Sequence, residues 1–494
     1  KNAGYATGMW GKWHSGHTDG YFPWERGFDE AYMARLYQHE NSSGSFNGEQ
    51  VQHSTWADQV ITDYAIRFME KYRDEPFFAY LSYLTCHSPL HAPQEYVRKY
   101  QQKGLSESLA TLYGMIDHFD FHFQRLLARI DELGLAENTV VFFMSDNGPA
   151  IENGTLTDED RRIRYVNQLR GHKGNIWENG VKSPLFVRWQ GRLEPKKVDT
   201  LADVTDILPT LMDIAGIQLP ENALPLDGRS FRAVLSDPAA DLDGEKISFN
   251  YAHPAWQPTD APWTPEGVLD EYRPLTPEIK ANLQFQDQVI SVRDDRYKLL
   301  LNPDVSKSSL VLDDGLALFD IRNDPREEVN LINEKPEIAR KLKQKLEDWF
   351  TGVNNTDGSF SMPVFLIGDN QTKSSIIMAK GPSRISADLK NTFNCLTGWE
   401  NAGAFAEYHI RVVTPGSYLV ALHHDSAEPS GAEMVLTVND RTRKAFIQDN
   451  QRVEFGSIDL REGDDTLRIS LSKSARGNVQ YAMDKLISIQ LIKQ

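Results

Sequence analysis

The first 150 residues alternate between two hydrophobic periods. Apolar positions recur at helical spacing over residues 60–72 and 109–133, and Gly134 ends the second helix. Short apolar runs at 77–84 and 139–144 predict strands that are buried on both faces. Helices alternating with buried strands are typical of an α/β fold, with a mostly parallel central sheet and helices on both of its faces.

The pattern is more varied between residues 180 and 350. A strand is predicted at 183–189, whereas residues 220–278 are rich in Pro, Trp and Asp, show no clear period and indicate long surface loops. Residues 289–301 and 317–320 alternate as antiparallel strands, and a helical stripe covers 336–350. These last three segments predict a small antiparallel α+β subdomain.

Near residues 352–358 the composition becomes polar and small, as in a linker, and beyond it the hydrophobic period changes to two. Short alternating runs separated by turns predict a C-terminal all-β sandwich. We therefore divide the chain into a catalytic α/β domain at 1–220, the remainder of that fold at 221–353, and an accessory sandwich at 354–494.

Composition excludes several classes of protein. The chain has 494 residues, 40% hydrophobic and 25% charged, with a net charge of −17. These values fit a globular protein of two or three domains and argue against nucleic acid as a partner. No apolar run has the length of a membrane span. Its two cysteines, Cys86 and Cys395, cannot build a disulfide framework or a cysteine-rich metal site.

Candidate chemistry begins in residues 4–16, a glycine-rich stretch that we interpret as a loop. It carries Lys12 and His14, a fixed cation and a group that exchanges protons near neutral pH. Glycines allow the backbone to come close to a ligand. A cation beside an imidazole suits an anionic, tetrahedral substrate, although a surface turn with a solvated lysine would give the same sequence pattern.

Further polar groups follow each predicted strand of the α/β region. His87 comes after the first strand, and Asp146 and Asn147 follow the second. Lys173, with Arg170 close by, lies in another glycine-flanked loop. Ligands of parallel sheets gather at the carboxyl ends of the strands, which favours a functional role for these groups. The oxygens of Asp146 and Asn147 suit Ca²⁺ or Mg²⁺, although an Asx turn would also explain the pair.

The pattern Gly-Tyr-x-Thr-x-x-x-Gly-Lys-Trp-His-x-Gly in residues 4–16 resembles a signature of the type I sulfatases, in the alkaline phosphatase superfamily. The resemblance extends with gaps to about residue 350. It includes His87, which stands in a His-x-Pro context after a Phe-Phe-x-Tyr-Leu strand. It therefore implies an alkaline phosphatase-like fold and the hydrolysis of sulfate esters.

The resemblance also implies roles for single residues. Lys12 and Lys173 would contact sulfate oxygens, and His14 would orient or deprotonate the nucleophile. His87 would contact the sulfate and the departing oxygen. Arg170 would neutralise the sulfate or pair with an acid. In the family, an Asp-Asn pair like Asp146-Asn147 holds one divalent cation, usually Ca²⁺, together with two aspartates that lie early in the chain.

One feature of the family is missing from this sequence. The family nucleophile is a formylglycine made from the Cys or Ser of a Cys/Ser-x-Pro/Ala-x-Arg motif, which precedes the glycine-rich stretch. Neither Cys86 nor Cys395 has these neighbours. We therefore expect an incomplete copy of a sulfatase, with the nucleophile, two metal ligands and the first strand upstream. Such a polypeptide should bind metal poorly and turn over little substrate.

The sequence thus favours a sulfuric ester hydrolase that acts on a sulfated carbohydrate or an aryl sulfate. A phosphoesterase or phosphonate monoester hydrolase of the same superfamily is the first alternative. The second is an inactive glycan-binding remnant, in which Trp399 and Tyr408 of the sandwich stack on sugar, although core packing is the favoured role of both. By resemblance alone, we expect a periplasmic or secreted protein.

Overall fold

The computed structural model describes residues 1–150, 156–164, 168–242, 244–252, 283–306, 308–355, 363–369, 374–392, 395–473 and 482–494. The chain forms two compact units. The first unit comprises Lys1–Lys12, Tyr32–Pro265 and Gln284–Val353, and the second comprises Trp13–Ala31, Glu266–Leu283 and Asn354–Gln494. Among the described residues, no helix combines the length and the apolar character that crossing a membrane requires.

The first unit contains the predicted α/β elements. Its strands are β1 (Ala6–Gly11), β2 (Glu30–Ala34), β3 (Ser43–Phe46), β4 (Glu49–Gln52), β5 (Phe77–Ser82), β6 (Val141–Met144), β7 (Leu185–Arg188), β8 (Ser248–Tyr251), β9 (Ile290–Arg293), β10 (Tyr297–Leu301) and β11 (Leu316–Asp320). Its helices are α1 (Ala57–Lys71), α2 (Gln94–Gln101), α3 (Glu107–Glu132), α4 (Asp158–Arg164), α5 (Glu178–Val181), α6 (Ile207–Ala215), α7 (Arg232–Ser236) and α8 (Pro336–Asn355).

The five-stranded sheet at the start of the chain is mixed. Its order is β4-β3-β2-β1-β5, with β1 and β5 parallel and the hairpins β2-β3 and β3-β4 antiparallel. Helices α1 and α3 pack onto it through one apolar cluster that includes Trp10, Ile61, Phe68 and Leu126. The predicted helices and the parallel pairing of β1 with β5 are therefore present, whereas the sequence pattern did not reveal α2.

Two interpretations of the sheet were wrong. The glycine-rich stretch is not a loop throughout, because Ala6–Gly11 forms β1 and every residue of this strand is buried. Conversely, β5 is not buried on both faces. Phe78 is 40% exposed and Tyr80 is 46% exposed. Apolar and aromatic composition identified β5 as a strand, but it could not tell how many of its faces are covered.

The strand at 139–144 pairs differently from the prediction. In the described residues β6 does not join the parallel pair but runs antiparallel to β7, with Val141 opposite Arg188 and Met144 opposite Leu185. Phe143 contacts Phe123 of α3, at 5.3 Å between ring centroids. Helical and strand periods identified the elements, but partner choice depends on contacts that are distant in sequence.

The predicted antiparallel subdomain is present and belongs to the first unit. Its sheet has the order β11-β10-β9-β8, with antiparallel pairing throughout. One face packs on α8, where Leu342 and Leu346 are fully buried. The opposite face packs on Ile176 and Trp177. The region 220–278 is therefore not loop alone, because it contributes α7 and β8, while residues 253–278 lie outside the described residues.

The C-terminal part of the second unit is the predicted sandwich. Its strands are β12 (Val364–Ile367), β13 (Ser374–Met378), β14 (Arg384–Ile385), β15 (Lys390–Asn391), β16 (Leu396–Thr397), β17 (Phe405–Val412), β18 (Gly416–Asp425), β19 (Glu433–Val438), β20 (Arg441–Phe446), β21 (Arg452–Leu460), β22 (Gly463–Lys473) and β23 (Lys485–Lys493). They form two six-stranded sheets around one apolar core.

The aromatic residues of the sandwich serve its core. Trp399 and Tyr408 are fully buried, and the Tyr408 hydroxyl donates a hydrogen bond to the Ala379 carbonyl at 2.8 Å. Neither side chain can stack on a sugar from this position, so core packing is the role of both. The predicted linker begins later than expected, since α8 continues to Asn355, and residues 356–358 lie outside the described residues.

Candidate active site

The parallel pair β1 and β5 determines where Lys12 and the His87 loop begin. The backbone amide of Lys12 donates to the carbonyl of Ser82 at 2.7 Å, which aligns the carboxyl ends of the two strands. A Cβ atom at Gly11 would lie 2.0 Å from the Ser82 carbonyl oxygen, and the φ of Gly11 is +120°. Only glycine allows this approach. The local glycine pattern thus places Lys12 beside the segment that leads to His87.

The loops that carry Asp146 and Lys173 are joined to each other. The amide of Lys173 donates to the Pro149 carbonyl at 2.8 Å. A Cβ atom at Gly148 would lie only 1.8 Å from the carbonyl oxygen of Asn179, so the two backbones touch at this point. This hydrogen bond and this close backbone contact, both within the first unit, fix the position of Lys173 relative to the loop that follows β6.

The structure brings Lys12, His87, Asp146 and Lys173 together. The ammonium group of Lys12 lies 3.9 Å from a carboxylate oxygen of Asp146. The charges of Lys173, Lys12 and Asp146 all act on the pKa of His87. Residues that are distant in sequence therefore form one cluster of two ammonium groups, one imidazole and one carboxylate.

The electrostatics of this cluster keep His87 neutral at pH 7. Burial lowers the pKa of His87 below its ordinary value, and the positive charges of Lys173 and Lys12 also act to lower it. The Nδ1 atom of His87 lies 2.7 Å from the carbonyl oxygen of Ser88 and must carry a proton to donate to it. The Nε2 atom is then the nitrogen that gains or loses a proton.

Lys173 is held in a half-buried position. Burial lowers its pKa, and the charge of Lys12 lowers it further, while Asp146 raises it. The positive charges of Lys12 and Lys173 repel each other, and a bound anion would offset that repulsion. The cluster therefore has the charge and the donors that an oxyanion requires.

The oxygens of Asp146 and Asn147 do not complete a metal site. Among the described residues, no group of three His, Cys, Asp or Glu side chains is placed to hold a metal ion. Ca²⁺ takes six to eight oxygen ligands, and Mg²⁺ takes six. Asp146 instead faces the ammonium of Lys12. The described residues do not by themselves fit the predicted Ca²⁺ or Mg²⁺.

Two other predicted residues have different surroundings. The guanidinium group of Arg170 lies 4.8 Å above the ring of Trp177 and donates a hydrogen bond to the Ser308 hydroxyl at 3.1 Å. These contacts give Arg170 a role in packing the loop. His14 is exposed and belongs to the segment Trp13–Ala31 of the second unit, so its role beside the nucleophile stays a prediction.

The structure adds two residues beside His87 that sequence reasoning did not select. The Nε2 atom of His39 lies 2.9 Å from the carbonyl oxygen of His87. The ring of Tyr37 lies 5.0 Å from the ring of His87 and is 41% exposed. Tyr37 and His39 stand in a polar run, and no spacing rule connects that run with a histidine about fifty residues later.

Comparisons with known proteins show similarity to sulfatases. A family model described as Sulfatase matches residues 1–217. The chain is 28% identical over 268 residues to an arylsulfatase of Hemicentrotus pulcherrimus, covering 49% of this chain and 46% of the relative. It is 24% identical over 305 residues to an N-acetylgalactosamine-6-O-sulfatase of Bacteroides thetaiotaomicron, covering 59% and 51%. The chain thus spans about half the length of these relatives.

Solved structures show the same fold. The structure of Ps i-CgsB superposes with a TM-score of 0.55 at 20% identity, covering 73% of this chain and 74% of the other. The PsFucS1 sulfatase from Pseudoalteromonas sp. gives a TM-score of 0.52 at 20% identity, covering 72% and 73%. With the matched family model, these likenesses confirm the predicted fold class. Residues 1–217 of this chain belong to the sulfatase family.

Proposed function

We propose that this protein hydrolyses sulfate esters of carbohydrates and that Lys12, His87 and Lys173 hold the sulfate group. The observation that carries the proposal is the convergence of these three side chains in the first unit, with Asp146 3.9 Å from Lys12. The overall charge of −17 would repel an anion, so a local cluster of positive charge indicates a functional role in binding one. Family membership supplies the chemistry that matches it.

The cluster can perform two parts of the reaction. The ammonium groups of Lys12 and Lys173 donate charge-assisted hydrogen bonds to sulfate oxygens and stabilise the charge that develops on them. A bound sulfate ester raises the pKa of His87, so Nε2 takes up a proton from water and then donates it to the oxygen of the departing alcohol. A sugar alkoxide is a poor leaving group, so this proton transfer matters most for carbohydrate esters.

The reaction also requires a nucleophile in addition to Lys12, His87 and Lys173. By resemblance to the family we propose a formylglycine, and the printed sequence does not contain its motif. By the same resemblance we propose that Asp146 and Asn147 are two of the ligands of a divalent cation, Ca²⁺ or Mg²⁺, whose other ligands are not among the described residues. The residues described here contribute the binding of the anion and the transfer of the proton.

A carbohydrate leaving group is supported by the relatives and by one residue. Among the relatives are an ulvan-active sulfatase of Formosa agariphila and the N-acetylgalactosamine-6-O-sulfatase. A structure of similar fold holds k-i-k-neocarrahexaose. Tyr37 offers an exposed aromatic ring beside His87, as sugar rings require for stacking. Because sulfated polysaccharides do not cross membranes, a periplasmic or secreted location would match this substrate.

The test of the proposal is the binding and hydrolysis of sulfate. We expect Lys173→Met to weaken the binding of inorganic sulfate about 10-fold to 100-fold, because it removes a charge-assisted hydrogen bond in a half-buried site. Isothermal titration calorimetry of the chain with sodium sulfate measures the change. The matched control is Lys182→Met, an exposed lysine close in sequence, which should leave the affinity unchanged.

Two outcomes would contradict the proposal. If Lys173→Met and Lys182→Met behaved alike, the cluster would not be the anion site. If the protein preferred phosphate to sulfate, and 4-nitrophenyl phosphate to 4-nitrophenyl sulfate, the phosphoesterase alternative would replace the sulfatase. Faster release of sulfate than of phosphate from these paired substrates would support the proposal.

A second prediction concerns the leaving group. Tyr37→Ala should weaken the binding of a sulfated sugar by about threefold to tenfold, because it removes the binding free energy of one aromatic contact. Galactose 6-sulfate is the probe. Tyr37→Phe should retain the affinity. Phe121→Ala is the control, because Phe121 is an aromatic side chain of α3 that is 48% exposed. Equal loss of affinity for inorganic sulfate would show that Tyr37 does not contact the sugar.

A further inference from the structure

A buried polar network lies behind the loop that carries His87. The loop begins at Thr85, whose hydroxyl donates a hydrogen bond of 2.6 Å to Oδ2 of Asp58. Asp58 belongs to the first turn of α1 and is 5% exposed. Burying a carboxylate costs free energy unless the carboxylate is paired. The groups around Asp58 must therefore compensate for its burial.

Hydrogen-bond directions along the network follow from one residue. Arg125 has only donors, so the contact of 2.9 Å between its Nη1 and His122 Nδ1 makes that nitrogen an acceptor. The proton of His122 is then on Nε2, which lies 3.1 Å from Nε2 of His118. His118 accepts there and carries its own proton on Nδ1, 3.5 Å from Asp58 Oδ2.

The charge states agree with these directions. Burial lowers the pKa of His122 to about 4, and the neighbouring His118 and Arg125 also lower it, while Asp58 and Asp63 raise it. His122 is therefore neutral at pH 7 and can accept from Arg125. The second arm of Arg125 donates to Asp63 at 2.8 Å, which holds the guanidinium in place.

The start of α1 also holds the other side of the His87 loop. His39 donates from Nε2 to the carbonyl of His87 at 2.9 Å, and the amide of Ala57 donates to the carbonyl of His39 at 2.7 Å. Two successive residues of α1, Ala57 and Asp58, therefore restrain the loop from two directions. Such restraints limit the positions that the imidazole of His87 can adopt.

One atom of the network shows that stability alone does not explain it. Within the described ranges, Oδ1 of Asp58 is buried and has no hydrogen-bond partner. An unpaired carboxylate oxygen in the interior costs free energy. An apolar side chain would avoid that cost, but it could neither accept the hydrogen bond of Thr85 nor place a negative charge 3.5 Å from Nδ1 of His118.

We propose that Asp58 and Thr85 are positioning residues that hold His87 beside Lys12 and Lys173. The inference rests on the proposed function only in that His87 contacts the sulfate ester. Asp58 accepts from the Thr85 hydroxyl, two residues before His87, and the orientation of the carboxylate is fixed by His118, His122 and Arg125. Groups that orient a catalytic side chain in this way affect rate and affinity without touching the substrate.

The experiment compares two hydroxyl groups of the same region, that of the half-buried Thr85 and that of the fully buried Thr62. Thr85→Val removes the hydrogen bond to Asp58, and Thr85→Ser keeps it. The control is Thr62→Val, because the fully buried Thr62 hydroxyl contacts the Asp58 carbonyl and the Tyr83 hydroxyl, each at 2.8 Å, but not the His87 loop. Both valine variants should lose similar stability. A difference between them in the resonances of His87 therefore reports the position of the His87 ring.

Two measurements follow each variant of the whole chain. Histidine-selective nuclear magnetic resonance reports the environment of the His87 ring, and calorimetry reports the affinity for inorganic sulfate. We expect Thr85→Val to shift the His87 resonances and to weaken sulfate binding about threefold to tenfold. Thr85→Ser and Thr62→Val should keep the wild-type values.

The resonance measurement needs no substrate, so it separates this inference from the proposed function. If the wild type bound no sulfate, the proposed function would fail, and a shift of His87 in Thr85→Val alone would still support positioning. Unchanged His87 resonances in Thr85→Val would overturn the inference. Equal shifts in Thr85→Val and Thr62→Val would overturn it as well, because they would show a general structural change.

Discussion

Replacing Lys298 with methionine is expected to destabilise the first unit by about 3 to 5 kcal/mol. Lys298 is a fully buried lysine of β10, and its ammonium group lies 3.1 Å from Glu178 and 2.9 Å from Glu327. Both glutamate side chains are fully buried. Methionine has a similar length but no charge, so the variant leaves two carboxylates in the interior without their shared cation.

The pH dependence of this loss follows from the two pKa values. Burial raises the pKa of Glu327. Burial also acts to raise the pKa of Glu178, but the charges of Lys298 and Arg293 outweigh it and lower that pKa. Without Lys298 both carboxyl groups shift toward the protonated form. Their penalty is present above the raised pKa and disappears as the pH falls through it, so wild type and variant should converge in stability on acidification.

Amide hydrogen exchange of β10 across a pH series measures the expected loss. Lys343→Met is the control, because Lys343 forms a partly exposed ion pair of 3.8 Å with Glu347 that contributes about 0.5 kcal/mol at most. The double variant Lys298→Met with Glu327→Gln should recover part of the stability. A loss below about 1 kcal/mol, or one that grows as the pH falls, would contradict the assignment of this ion cluster.

The ion cluster also connects the antiparallel sheet with the Lys173 loop. The backbone amide of Glu178 donates to a carboxylate oxygen of Glu327 at 2.8 Å, and Glu178 begins the short helix α5, five residues after Lys173. Trp177 packs on the same face of the sheet. The predicted α+β subdomain thus supports the site, and its loss should weaken sulfate binding as well as stability.

Local sequence patterns predicted most elements of the fold. The stripe that includes Ile61 and Phe68 predicted α1, and Gly134 marked the end of α3. The strand positions were confirmed because apolar period and turn residues are local signals. The pairing partner of β6 and the exposed face of β5 could not be predicted from the sequence, since both depend on segments that are distant in sequence.

The site was only partly predictable for the same physical reason. Lys12, His87, Asp146 and Lys173 were selected as polar groups after strands or between glycines, and the structure places them together. The sequence analysis did not identify the residues that hold these side chains in place. Asp58 stands within an amphipathic helix, where a polar residue is ordinarily a solvated one. Only the tertiary structure shows that it faces inward and accepts from Thr85.

Replacing His87 with glutamine is expected to lower the turnover of sulfated sugars about 100-fold to 10,000-fold in the enzyme that carries this site. Glutamine can still donate a hydrogen bond, but it cannot transfer a proton to the departing oxygen. The effect should be much smaller for 4-nitrophenyl sulfate, because nitrophenolate leaves without being protonated. The ratio of the two losses in kcat therefore measures proton transfer apart from binding.

The pH dependence of anion binding provides the companion measurement. The pKa of His87 is lowered by burial and by the charges of Lys173 and Lys12, so the imidazole is neutral at pH 7 when no anion is bound. A sulfate beside Nε2 would raise that pKa, and linkage then requires sulfate to bind more tightly as the pH falls through the raised value. His87→Gln should remove this dependence. His91→Gln is the control, because His91 lies 3.6 Å from Glu40 and is exposed. If His87→Gln kept the pH dependence, or if both esters lost equal turnover, another group would protonate the leaving oxygen.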